Sequence, residues 1–149
     1  MKKKKYIFSD YFSKDVVEEI LKHGKENNIV VYRVGKYGKD KTISFLNYYD
    51  EVVMGLKTVM RKEKYLEKCK TNIDNLSVSC YYDIDDIQYY YDVTLKDDYP
   101  ERILLHGVTD SNYGLSQKTS ERKRVNDSHV DWWLYKDSTP WLAFKEVTL

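Results

Sequence analysis

The sequence has little of several residue types on which common sites depend. Its 149 residues include two cysteines, three histidines, two prolines and six glycines. Two cysteines provide neither a disulfide framework nor the ligand spacing of a zinc site, and we expect no metal cofactor. The glycines do not form a fingerprint that cradles phosphates, and no pair of histidines shares one helix face as metal ligands would. Disulfide scaffolds, zinc modules and P-loop nucleotide sites are therefore not expected.

Long apolar runs and an excess of one charge are also missing. Twenty-five basic and twenty-four acidic residues leave a formal net charge of +1, so the positive surplus that drives non-specific nucleic-acid binding is absent. No apolar stretch has the length of a membrane span. Residues 1–10 combine lysines with an early aspartate and do not form a secretory signal. We expect a cytoplasmic protein that binds neither nucleic acid nor membranes directly.

The residues that are present predict one α+β domain over residues 1–149, with a mixed or antiparallel central sheet and helices packed on it. Apolar spacing and capping residues predict helices in 13–24, 46–70 and 83–99. The predicted strands are 29–34, 76–81, 102–108, 129–135 and 141–147. The polar residues 109–128 are predicted to form a loop, and ordered loops of this length usually have a function in binding.

An arginine and two serines on neighbouring predicted strands form the clearest candidate for a site. Arg33 follows Tyr32 at the end of the first strand, and Ser77 and Ser79 frame Val78 on the second. This pattern resembles the arginine–serine–glutamate class of ADP-ribosyltransferases. The resemblance implies that Arg33 grips the diphosphate of NAD or a related nucleotide and that Ser77 and Ser79 line the nicotinamide pocket; guanidinium groups suit phosphate because they bind it bidentately and stay charged.

The chain departs from that family at its catalytic position. Where a glutamate is expected on a later strand, the sequence has His129, Val130 and Asp131. The resemblance therefore makes Asp131 and His129 the candidate catalytic residues, and it also leaves open a domain that binds a nucleotide without turning it over. The alternative to a site is an ordinary structural role, in which Arg33 extends from a strand end, Ser77 and Ser79 face solvent on an edge strand, and Asp131 pairs with a lysine.

Two adjacent tryptophans support a different function. Trp132 and Trp133 stand on one predicted strand, so their rings point to opposite faces. We expect one ring in the core and the other in an exposed aromatic patch with Trp141, unless a second layer covers that face. Such a patch would bind a protein partner. In composition the chain resembles small proteins of phages and mobile elements, which favours a non-catalytic inhibitor, anti-defence or immunity-type factor as the alternative function.

Overall fold

A six-stranded antiparallel sheet forms the centre of residues 6–148, the part of the chain that the computed structural model describes. The strands are β1 (Val30–Gly35), β2 (Val78–Tyr81), β3 (Ile103–Val108), β4 (Gly114–Lys118), β5 (His129–Leu134) and β6 (Phe144–Val147). Their order across the sheet is β4-β5-β2-β1-β3-β6, with antiparallel neighbours throughout. Together with the helices packed on this sheet, the order confirms the predicted single α+β domain with an antiparallel centre.

Short helices connect the strands. The α-helices are α1 (Lys14–His23), α2 (Tyr48–Val53), α3 (Lys62–Lys70), α4 (Ile73–Leu76) and α5 (Ile84–Tyr89). A π-helical turn, Tyr90–Thr94, continues α5, and 3₁₀ turns cover Lys41–Ile43, Thr119–Glu121 and Pro140–Ala143. Helix α1 has the predicted ends, since the Ser13 side chain accepts a hydrogen bond from the Val16 amide and Gly24 caps the last turn.

Apolar clusters lie on both faces of the sheet. The cluster on one face consists of Val31, Phe45, Val78, Cys80, Ile103, Leu105, Val130, Trp132 and Phe144. The opposite face carries one cluster beneath α1 and α4, made of Phe8, Phe12, Val16, Ile20, Ile73, Leu76, Leu115 and Trp133. A second cluster on that face lies beneath α5 and consists of Val34, Ile87, Leu95 and Leu104. The sheet is thus covered on both sides where β5 crosses it.

The expectation that one of the adjacent tryptophans faces solvent is wrong. The rings do point to opposite faces, but Trp132 and Trp133 are both 0 % exposed. Trp132 packs in the cluster with Phe45 and Phe144, and the Trp133 indole donates to the Ile73 carbonyl at 2.9 Å. Trp141 is partly buried against the Trp132 cluster. The second covering layer, formed by α1 and α4, is the reason that no ring of this pair is left outside.

The predicted loop over residues 109–128 is also wrong, because it contains strand β4. This strand pairs with β5 from Gly114 opposite Leu134 to Lys118 opposite Val130. The hydrophobic pattern did not predict this strand, because some of its buried side chains are polar. Ser116, for example, is 0 % exposed, and its hydroxyl donates to the Asn27 carbonyl at 3.2 Å. A buried hydroxyl with a partner of this kind is tolerated in a core, and it leaves no apolar alternation to read.

The sequence predicted neither a secretory signal nor a membrane span, and the structure bears on these two predictions only in part. Residues 1–5, from which part of the prediction of no secretory signal was drawn, lie outside the described residues. Among residues 6–148, none of the helices has the length and apolar character that crossing a bilayer requires.

The burial of both tryptophans leads to a prediction about stability. We expect Trp132→Ala and Trp133→Ala each to lower the free energy of unfolding by about 3–5 kcal/mol, because each leaves a large cavity in a packed cluster. Urea denaturation followed by circular dichroism measures both, with Leu142→Ala, at a side chain 71 % exposed, as the control that changes little. A variant of either tryptophan that unfolds like the wild type would place that ring outside the core.

Candidate functional site

A cleft opens where strands β1 and β2 separate. Within the described chain, the two strands pair at Tyr32 opposite Tyr81, whereas β1 pairs with β3 along its whole length. Beyond that pair, helices α2 and α5 border the opening. The side chains of Arg33, Lys36, Tyr48, Glu51, Ser77, Ser79, Tyr81, Ile87 and Tyr90 line it, with Val34, Leu46, Asn47 and Val78. The structure therefore brings together the three residues that the sequence assigned to nucleotide binding.

Arg33 joins the two strands across this opening. Its Nε donates to the Ser44 carbonyl at 2.7 Å and its Nη1 donates to the Ser79 carbonyl at 2.6 Å. The guanidinium lies 5.5 Å from the centre of the Phe45 ring, and the residue is 8 % exposed. Arg33 thus supplies one hydrogen bond to β2 where the strand backbones no longer pair, and a second one to the segment that precedes α2. A guanidinium has five N–H donors, so two carbonyls do not exhaust its capacity.

A buried ion pair stands at the other side of the cleft. Glu51 on α2 is 2 % exposed, lies 3.5 Å from the Lys36 ammonium, and accepts a hydrogen bond from the Tyr37 hydroxyl. Burial lowers the pKa of Lys36, although Glu51 acts in the opposite direction. Burial, followed by the contact with Glu51, raises the pKa of Tyr37. The cleft therefore combines two cations, Arg33 and Lys36, with one carboxylate.

Sequence reasoning missed this ion pair. Glu51 lies between polar and apolar residues on a helix of six residues, a pattern that does not distinguish a buried carboxylate from an exposed one. Lys36 and Tyr37 follow β1 directly, where a polar turn is ordinary. The one available signal was the position of Lys36 three residues after Arg33, which predicts two cations near one strand end.

Asp131 lies behind the cleft, and both of its carboxylate oxygens accept hydrogen bonds from neighbouring side chains. The residue is 1 % exposed, and its carboxylate accepts from Ser77 Oγ at 2.7 Å, Thr119 Oγ1 at 2.8 Å and Arg122 Nη2 at 2.5 Å. Arg122 also bonds to Asp74 at 2.8 Å. Each carboxylate oxygen thus has a donor from the protein, so Asp131 acts as an anchor for its neighbours in this structure.

His129 lies between Asp131 and the cleft residue Ser79. Its Nε2 lies 2.8 Å from Ser79 Oγ, its Nδ1 lies 2.6 Å from Thr119 Oγ1, and the distance from Nδ1 to Asp131 Oδ1 is 4.0 Å. Desolvation lowers the pKa of His129, and the nearby carboxylates of Asp131 and Asp127 oppose that effect without cancelling it. At neutral pH the imidazole is therefore uncharged.

Both polar residues that complete this network were missed. Thr119 and Arg122 belong to the stretch that was predicted to be a loop, and nothing in their neighbours indicates that one would be buried beside Asp131. Among the described residues, no group of three or more histidine, cysteine, aspartate or glutamate side chains is placed to hold a metal ion.

Comparison with protein-family models, with curated proteins and with solved structures finds no match to this chain. What the site can do follows from its own side chains.

The contacts of Arg33 predict a structural penalty when it is removed. We expect Arg33→Ala to lower the free energy of unfolding by about 1–3 kcal/mol for each of the two carbonyls that it leaves without a donor. Arg33→Lys should recover part of the loss, since one ammonium can bond to one carbonyl or the other but lacks the planar fork. Urea denaturation of both variants checks this. Wild-type stability in Arg33→Ala would mean that the bridge between β1 and β2 is dispensable.

Burial of His129 predicts a dependence of stability on pH. The unfolded state binds a proton near the ordinary pKa of 6.5, and the folded state binds it only at lower pH. The free energy of unfolding should therefore fall as the pH drops below about 6.5. His129→Gln should remove this part of the slope. Denaturation at several pH values, with an NMR titration of the imidazole, measures both quantities; a titration midpoint at or above about 6.5 would contradict the burial argument.

Proposed function

We propose that the chain binds an NAD-like nucleotide in the cleft between β1 and β2. The observation that carries the proposal is the lining of that cleft, in which Arg33, Ser77 and Ser79 stand together. The resemblance to ADP-ribosyltransferases groups the arginine, the serines and the acidic residue at one site, and strands that lie side by side can bring such residues together. Here β1, β2 and β5 follow one another in the sheet order β5-β2-β1, which supports it.

The cleft offers a partner for each part of such a ligand. Arg33 and Lys36 provide positive charge for a diphosphate, which bonds well to guanidinium and ammonium groups. The rings of Tyr48, Tyr81 and Tyr90 line the same opening and can stack on a base or a nicotinamide. Glu51 can accept hydrogen bonds from ribose hydroxyls. Phosphate, aromatic ring and sugar thus each have a matching group.

Two features limit the proposal to binding. The enclosed part of the cleft has a volume of about 20 Å³, close to the space of one water molecule, so a nucleotide would lie along the open mouth or part Lys36 from Glu51. Asp131, the acidic residue on the later strand, already has a donor at each oxygen. The proposed function is therefore binding of the nucleotide, without transfer of ADP-ribose by Asp131.

The alternative function, a non-catalytic factor that binds a protein partner, has lost its main support. It depended on an exposed ring of Trp132 or Trp133, and both are 0 % exposed. Large side chains are exposed elsewhere, including Met60 at 91 %, Tyr89 at 64 % and Tyr82 at 44 %, but none of the three tryptophans on which the aromatic patch was based is among them. Nucleotide binding is the function that the site favours.

Calorimetry with NAD, ADP-ribose and a cyclic nucleotide tests the proposal. We expect a diphosphate-containing ligand to bind and Lys36→Gln to weaken it by about 10-fold or more, because a charge-assisted hydrogen bond is worth about 1.5–3 kcal/mol. Lys36 is a better target than Arg33, whose loss also releases two backbone carbonyls. Lys70→Gln, at a lysine paired with Glu67 on α3, is the matched control and should bind like the wild type. No heat with any of the three ligands, or equal affinity in Lys36→Gln, would contradict the proposal.

A further inference from the structure

A continuous chain of hydrogen bonds runs from the cleft into the core. It starts at Ser79 Oγ, passes through both nitrogens of His129 at 2.8 Å and 2.6 Å, and continues through Thr119 Oγ1 to Asp131 Oδ2 at 2.8 Å. Ser79 is half-buried and lines the cleft, whereas Thr119 is 1 % exposed. One end of the chain therefore lies at a half-buried residue of the cleft, and the other end is a buried carboxylate.

The direction of the protons along this chain follows from the donors that each group possesses. Asp131 Oδ2 accepts a hydrogen bond from the Arg122 guanidinium, and Thr119 Oγ1 donates to the same oxygen. A threonine hydroxyl has one proton, so Thr119 Oγ1 can only accept from His129. The proton of the neutral imidazole is therefore assigned to Nδ1, and Nε2 presents its lone pair to Ser79. If the proton were on Nε2 instead, the lone pairs of His129 Nδ1 and Thr119 Oγ1 would face each other at 2.6 Å.

This polarity is what a serine nucleophile requires. A hydroxyl is a weak nucleophile until a base takes its proton, and a neutral imidazole oriented through its second nitrogen is the usual base. Ser77, two residues earlier on the chain, provides the contrast: its hydroxyl donates to Asp131, a carboxylate that already accepts from Arg122 and Thr119. The two serines thus have different chemistry.

We propose that Ser79 is a nucleophile, with His129 as its general base, and that it accepts an acyl group from an activated carboxylic ester. Arg33 and Lys36 border the same cleft, so the favoured esters carry an anionic group. The proposal does not depend on nucleotide binding, because it uses the side chain of Ser79 and the base behind it and needs no diphosphate.

The proposed step balances without a further reactant. Ser79 Oγ bonds to the carbonyl carbon as its proton passes to His129 Nε2. The bond from that carbon to the leaving oxygen then breaks, and His129 returns the proton to the leaving oxygen. In the second half, a solvent water gives its proton to His129 and its oxygen to the acyl carbon, and the Ser79 oxygen leaves and recovers the proton. Thr119 and Asp131 position the imidazole throughout and exchange no atoms.

A fluorophosphonate reagent tests the nucleophile directly. Ser79 Oγ should bond to its phosphorus and release fluoride, and peptide mapping by mass spectrometry should place the adduct on Ser79. We expect Ser79→Ala to abolish labelling and His129→Gln to slow it by on the order of 100-fold or more. Ser120→Ala, at an exposed serine beside Thr119, is the matched control and should label at the wild-type rate. Release of p-nitrophenol from p-nitrophenyl acetate should follow the same order.

The pH profile separates activation from a merely structural role of Thr119. The wild-type labelling rate should rise as His129 loses its proton, with a midpoint below about 6.5. The charged groups near this imidazole are Asp131, Asp127, Asp74 and Lys123. Thr119→Val should lower the rate and move the midpoint, and Thr119→Ser, which keeps the hydroxyl, should restore both.

Three results would overturn the proposal. The first is a folded wild-type protein that is not labelled. The second is an adduct mapped to any serine other than Ser79, a measurement on the wild type that holds even if Ser79→Ala does not fold. The third is a wild-type labelling rate in folded His129→Gln. Calorimetry with nucleotides is a separate measurement, so either proposal can fail while the other stands.

Discussion

The buried carboxylate of Asp131 is the constraint on which the site depends. An ionised group inside a protein costs several kcal/mol unless it is paired and hydrogen-bonded, and Asp131 is satisfied by Arg122, Thr119 and Ser77. These donors come from separate segments: one precedes β2 and two belong to the turn after β4. One charge on β5 therefore fixes the positions of two neighbouring pieces of chain. The orientation of His129 follows from it, because Thr119 has its only proton committed to Asp131.

Ser79 is the residue at which the two halves of the site meet. Arg33 holds its backbone carbonyl at 2.6 Å, and His129 holds its side chain at 2.8 Å. The backbone contact belongs to the cleft that we assign to a nucleotide, and the side-chain contact belongs to the chain of hydrogen bonds that ends at Asp131. Both sets of contacts give Ser79 a fixed position, which a ligand site and a nucleophile equally need.

Local patterns in the sequence predicted much of the fold and part of the site. Ser13 and Gly24 mark the ends of α1, and the apolar runs place five of the strands, since such signals depend on neighbours along the chain. Strand β4 could not be found this way, because Ser116 is buried through hydrogen bonds that alternation does not encode. The grouping of Arg33 with the serines was predicted, whereas its bonds to two backbone carbonyls and the burial of both tryptophans depend on what the rest of the chain brings against them.

The sparse pairing of β1 with β2 has a mechanical consequence. Four of the five interfaces in the sheet are joined by ladders of several residue pairs. The interface between β1 and β2 instead has one residue pair and the hydrogen bond from Arg33 to the Ser79 carbonyl. In its backbone pairing the sheet therefore divides into two three-stranded halves, β4-β5-β2 and β1-β3-β6, which meet at the pair Tyr32 and Tyr81. Any widening of the cleft would therefore have to break the bond from Arg33 to the Ser79 carbonyl, whereas the backbone pairing within each half could stay intact.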